Sequence, residues 1–198
     1  MFRREAQEIA FWLSRVPDAR LTPFVNLGSA DEDFRVRQKP WVDQCIFAPL
    51  RERGIAVTHV EIAPGAGIDM VADILTDEGC ARIAALQPRF ILLSNVLEHV
   101  YEPEKMVRRC LEMLPSGGRL FITVPRGYPR HTNIDTMLRP TPEELAAWAP
   151  EARVEHAAIL ETEYHWHEIF RNPRKAMIAK VRWLFEPYEV SMLLLAKP

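Results

Sequence analysis

Phe90-Ile91-Leu92-Leu93, an unbroken apolar run closed by Ser94 and Asn95, constrains this chain more than any other feature. A strand with one wet face alternates apolar and polar side chains. A strand without alternation is covered on both faces, as in a parallel sheet flanked by helices. The rest of the chain supplies both partners. Segments 24–27, 57–62, 68–71 and 119–124 read as further strands. Ala6, Ile9, Ala10, Leu13 and Val16 recur at helical spacing. Pro40 opens a second helical pattern with Val42, Cys45, Ile46 and Leu50 on one side, which Pro49 is expected to bend or end. Thr76-Asp77-Glu78 is a capping signature before a helix over 76–86. Pro103 begins a helix with Met106, Val107, Cys110, Leu111 and Leu114 inward, stopped by Ser116-Gly117-Gly118. Past Pro125 come a long loop, a helix over 142–148 and a strand over 154–160. A basic, aromatic helical stretch broken by Pro173 follows, then a last strand over 190–196. The alternation predicts an α/β fold whose sheet is mostly parallel, with right-handed crossovers.

Length and charge bound the partners. A chain of 198 residues with no linker-like tract fits a single domain, 1–198. A formal net charge of -2 offers no global attraction to nucleic acid, so none is expected as partner. The three cysteines, Cys45, Cys80 and Cys110, are odd in number and far apart, which suits reduced thiols and a cytoplasmic setting. Glu5, Gln7 and Glu8 interrupt the stretch where a signal peptide needs apolar residues, and no run is long enough for stable membrane insertion.

In an open parallel sheet, ligands bind beyond the carboxyl ends of the strands, where strand order reverses. Four successive strand ends carry suitable groups. After the first come Asn26-Leu27-Gly28-Ser29-Ala30, where Gly28 allows close backbone approach. The second ends in Glu61, a carboxylate able to accept both hydroxyls of a ribose. Asp73 follows the third and can accept from an adenine amino group, and Asn95 ends the fourth. Each has a plainer reading: turn glycine, solvated acid, helix cap, strand terminator. The ordering of the set is what points to a nucleoside.

Leu93-Ser94-Asn95-Val96-Leu97-Glu98-His99-Val100, a Pro-led helix, and then Leu114-Pro115-Ser116-Gly117-Gly118-Arg119-Leu120 resemble the motifs of class I S-adenosylmethionine-dependent methyltransferases (type 11-like). The likeness runs from about Phe24 to Pro125, and Ser191-Met192-Leu193-Leu194-Leu195-Ala196 is similar to the antiparallel last strand of that Rossmann-like fold. It implies S-adenosylmethionine as cofactor, with Gly28, Ser29 and Asn26 by its methionine part, Glu61 by the ribose, Asp73 by the adenine and Asn95 near the sulfonium. It also implies a division into an N-terminal helix (1–20), a cofactor-binding half (24–125) and a substrate-side half (126–198). The chain departs from the family where Asn26 replaces a common acid and Ala30 a second glycine, with Asp31, Glu32 and Asp33 following. A sparse glycine loop also counts against a nicotinamide dinucleotide, whose pyrophosphate needs a glycine-rich turn.

The segment 125–136 is polar, rich in turns and longer than a connection requires, which marks a substrate loop. His131 is the candidate general base, since its ordinary pKa lies near neutrality. Asp135 is placed to orient it, and Tyr128 and Arg139 to bind the acceptor. Glu98-His99 resembles a pair that assists a divalent metal in some quinone O-methyltransferases. Two residues fall short of a metal site, so no metal is expected and His99 is read as packing. His165 and His167 around Trp166, and the basic run Arg171, Arg174, Lys175, Lys180 and Arg182, read as a helix face. The expected activity is methyl transfer to a small-molecule or glycan-like acceptor. The alternatives are a non-catalytic binding or scaffold module of the same fold and, behind it, a NAD-dependent oxidoreductase.

Overall fold

A computed structural model describes residues 1–130, 133–164 and 187–198. Helix α1 (Arg3–Ser14) and the short α2 (Asp18–Leu21) lead into β1 (Phe24–Leu27). A π-helical turn, Phe34–Gln38, precedes α3 (Pro40–Val42), a second π turn (Asp43–Phe47) and α4 (Ala48–Glu52). Then come β2 (Val57–Glu61), β3 (Met70–Val71), α5 (Asp77–Ala84), β4 (Phe90–Ser94), a 3-10 turn (Leu97–His99), α6 (Pro103–Met113) and β5 (Arg119–Pro125). Helix α7 (Pro142–Ala147) and strands β6 (Arg153–Tyr164) and β7 (Pro187–Ala196) complete the described elements.

The helical pattern from Pro40 does not end at Pro49. The chain passes through the π turn and resumes as α4 with Pro49 in its first turn. Proline has no N–H to donate, and the first turn of a helical segment is where none is needed. The wider turn thus absorbs the residue that the sequence pattern treats as a breaker.

The seven strands lie in the order β3-β2-β1-β4-β5-β7-β6. β1 to β5 are parallel, and β7 runs antiparallel to both β5 and β6. Side chains alternate between two cores. Val25, Leu27, Ile91, Leu93, Ile122 and Leu193 pack on one face with α5 and α6. Phe24, Phe90, Leu92, Phe121 and Leu194 pack on the other with α1 and the helices over 40–52. Two filled faces explain why β4 carries no polar alternation: Phe90, Ile91, Leu92 and Leu93 are all fully buried. The chain leaves β1 in one direction to β2 and β3 and in the other from β4 to β5, so the reversal falls between β1 and β4. No helix among the described residues is long and apolar enough to cross a membrane.

Candidate functional site

Because β1, β2, β3 and β4 are parallel, the residues after them share one edge of the sheet. Gly28, Glu61, Asp73 and Asn95 are therefore brought to the same edge. The turn after β1 is tightly bonded. The N–H groups of Gly28 and Ser29 both donate to the Val60 carbonyl, at 2.9 and 3.2 Å. The Ala30 N–H donates to Glu61 Oε1 at 2.9 Å, and the Ile62 N–H to Glu61 Oε2 at 2.9 Å. The half-buried Glu61 carboxylate is thus fixed at both oxygens, each retaining a further lone pair. Beside it Ile62 is 72% exposed, an apolar side chain at the rim.

Two residues in this turn are left-handed. Gly28 has φ +69°, and a Cβ there would lie 2.3 Å from Val96 Cγ2, so both backbone and space require glycine. Ala30, standing where the family has its second glycine, holds φ +52°. The glycine-type turn is retained at a cost of about 1 kcal/mol.

Asn26 lies differently from the other candidates. It is buried, on the same face of β1 as Phe24, and its Nδ2 is 3.1 Å from His59 Nδ1. That contact needs a neutral imidazole accepting at Nδ1. Burial, with the Arg35 charge nearby, holds the His59 pKa down at about 4. Asp73 is exposed and its Oδ1 accepts the Leu75 N–H at 2.9 Å, while its carbonyl accepts the Thr76 hydroxyl at 2.8 Å. Thr76 in turn caps α5 through the Gly79 N–H. Asn95 has φ +54°, and its amide donates to Glu5 Oε1 at 2.7 Å.

Glu5 is a residue that sequence reasoning missed. Fully buried on α1, its Oε1 accepts from the hydroxyls of Thr123 (2.7 Å) and Ser94 (3.2 Å) as well as from Asn95. Its Oε2 accepts the Phe2 N–H at 2.9 Å. The first turn of α1 is thereby pinned over the ends of β4 and β5. The available signal was spacing: Glu5, Ile9 and Leu13 follow one another at i, i+4 on the inward stripe. Glu98 was read only as part of a motif. It too is fully buried, and no donor of another described residue is hydrogen-bonded to either carboxylate oxygen. Burial raises its pKa to about 7, with the Glu5 charge adding to the shift. His99 Nε2 lies 3.8 Å from its Oε1.

The loop after β5 folds back on this region. The Thr136 N–H and hydroxyl donate to the Glu98 carbonyl at 2.8 and 3.1 Å. Asp135, fully buried, takes a two-pronged contact from Arg139 at 3.1 and 2.7 Å. Arg139 also donates to the carbonyl of Tyr128 at 2.9 Å, so its fork ties the loop together rather than facing an acceptor. The Tyr128 ring packs with Phe2 and Tyr188, at centroid distances of 5.5 and 4.6 Å. His131 lies outside the described residues, as do His165, His167 and the basic run from Arg171 to Arg182. Among the described residues no three His, Cys, Asp or Glu side chains cluster as a metal site would require.

No protein-family model matches the sequence, and no curated protein matches it. Solved structures do match in fold. Coclaurine N-methyltransferase bound to N-methylheliamine and S-adenosylhomocysteine superposes with TM-score 0.60 at 12% identity, over 98% of this chain and 70% of that one. A SAM-dependent methyltransferase from Archaeoglobus fulgidus gives 0.51 at 15% identity, over 97% and 94%. The cyclase SpnF gives 0.51 at 15% identity, over 97% and 80%. With its parallel β3-β2-β1-β4-β5 core and antiparallel β7 beside β5, the chain has the Rossmann-like fold of class I methyltransferases.

Proposed function

We propose that this chain is an S-adenosylmethionine-dependent methyltransferase acting on a small-molecule or glycan-like acceptor. The observation that carries the reading is the use of the turn after β1. Its successive N–H groups at Gly28, Ser29 and Ala30 are all spent on Val60 and Glu61. A dinucleotide pyrophosphate is held by free N–H groups at such a turn, so the bonding disfavours NAD. A ribose takes a fixed carboxylate at the end of β2 in either kind of cofactor, and Glu61 is one; the turn's bonding is what separates the two. The fold alone does not choose the reaction, since a cyclase shares it.

The residues present fit this cofactor, which when bound supplies an electrophilic methyl group on a sulfonium. Glu61 accepts the ribose hydroxyls with its remaining lone pairs, Ile62 covers the base and Asp73 accepts from the adenine amino group. Gly28 and Ser29 lie along the methionine part and Asn95 by the sulfonium. Asn26, committed to His59, supports the turn from beneath. On the acceptor side Tyr128 forms a wall. Asp135 holds the loop through Arg139, and His131 takes the proton from an acceptor that carries one. The protein's share of the work is alignment and exclusion of water. A thermal-shift panel of S-adenosylhomocysteine, NAD and ATP tests this reading. Stabilisation by the first alone is expected, and stabilisation by NAD instead would replace a methyltransferase with an oxidoreductase.

A further inference from the structure

Arg35 is 5% exposed, and its guanidinium is inserted between the two loops that wall the proposed nucleoside site. Nη1 donates to the carbonyls of Ala30 and Ser29, the latter at 3.2 Å, and to Ser29 Oγ at 3.4 Å. Nη2 reaches across to the Gly67 carbonyl at 2.6 Å. Gly67 is itself shaped by this approach: it has φ +67°, and a Cβ there would lie 2.7 Å from Arg35 Nη2. A second tie runs parallel, from the Glu32 N–H to the Ala66 carbonyl at 2.8 Å.

The peptide joining Ser29 to Ala30 connects this fork to the site. Its carbonyl accepts from Arg35, and its N–H donates to Glu61 Oε1. A guanidinium is costly to bury; the carboxylates of Glu32, Asp69, Asp31 and Asp43 act on this one through space, but among the described residues none is in ion-pair contact with it. Only a planar fork with several donors can satisfy carbonyls from two loops together, and a lysine ammonium cannot reproduce it.

We infer that Arg35 is a positioning residue: it locks the left-handed turn at Ala30 against the loop at Gly67, and through the Ser29–Ala30 peptide it sets the Glu61 carboxylate for a ribose. The clamp rests on the reading of Glu61 proposed above. It holds by a buried charge the left-handed conformation that Ala30 adopts at a cost where a glycine would adopt it freely.

Titration calorimetry of S-adenosylhomocysteine with the wild type, Arg35→Lys, Glu61→Gln and the double variant tests it, with thermal unfolding of the same samples. Arg35→Lys is expected to weaken binding roughly tenfold. The double variant should bind no more weakly than the weaker single one, because a carboxylate already lost has nothing left to orient. A purely structural arginine would lower the melting temperature, while its effect on affinity would multiply with that of Glu61→Gln. Should the lysine variant not fold, Arg35→Gln, which keeps an amide donor on a shorter uncharged side chain, carries the same expectation. Affinity within twofold of wild type, or losses that multiply, overturns the clamp alone. Absence of binding by the wild type overturns the cofactor reading and the clamp with it.

Discussion

Glu61 is where the residue scale matters most. Its backbone bonds hold it without consuming it, so Glu61→Ala should leave the fold largely intact and weaken S-adenosylhomocysteine binding by about 2 kcal/mol, measured by calorimetry. Gly28 behaves oppositely. A Cβ there meets both a left-handed backbone and Val96, so Gly28→Ala should cost about 2 kcal/mol or more of stability in urea unfolding, whatever its effect on binding. Gly28, Glu61, Asp73 and Asn95 were legible because strand ends can be found from apolar runs, and parallel strands put their ends on one edge. The surroundings of Asn26 were not legible. Whether a side chain on a short, fully buried strand points to a crevice or to a neighbour such as His59 depends on the register between β1 and β2, which no local pattern encodes. Arg35 was invisible for a similar reason, since a basic residue between an acidic triplet (Asp31 to Asp33) and Arg37 and Lys39 reads as solvated until its carbonyl partners are placed.

Elements were read more securely than their joints. The helices led by Thr76 and Pro103 and the strands around Phe90 and Arg119 form where caps and apolar runs put them. Of the two outcomes expected at Pro49, the helix does not end there but is interrupted just before it by a π turn, which depends on how the segment packs and not on propensity. Helix α1 carries the larger lesson. Its inward stripe was plain, but the role of Glu5 depends on Ser94, Asn95 and Thr123, some 90 to 120 residues away in sequence. Glu5→Ala would remove the acceptor shared by the buried Thr123 hydroxyl, the half-buried Ser94 and Asn95 and the Phe2 N–H, and should destabilise by roughly 3 kcal/mol in denaturant. Glu5→Gln keeps an acceptor oxygen and should cost less. Equal losses for the two would detach α1 from the account of the β4 and β5 ends.

At the scale of the molecule, two of the groups with displaced pKa values, His59 and Glu98, make stability depend on pH in opposite senses. His59 is held neutral with a folded pKa near 4 against 6.5 unfolded. Its contribution is present above about 6.5 and is lost as pH falls toward 4. Glu98 is raised to about 7 from 4.5. Its contribution is complete below 4.5 and is lost as pH rises through 7, a difference on the order of 3 kcal/mol. Glu98→Gln should therefore flatten the alkaline side of the stability profile in urea titrations between pH 5 and 8, leaving the acid side to His59 and to His156, whose pKa burial also lowers. An unchanged alkaline slope would mean that Glu98 is ionised at neutrality. The mostly parallel architecture was readable from the alternation of strands and helices, and the antiparallel last strand from its resemblance over 191–196; the position of β6 outside β7 was not, because strand order leaves no signature in local hydropathy.

A nucleoside site between the ends of β1 and β2 can be seen in a crystal soaked with S-adenosylhomocysteine. Electron density is expected beside Gly28, with the ribose hydroxyls about 3 Å from the Glu61 carboxylate and the base toward Ile62 and Asp73. Density at another edge of the sheet, or a ribose turned away from Glu61, would contradict it.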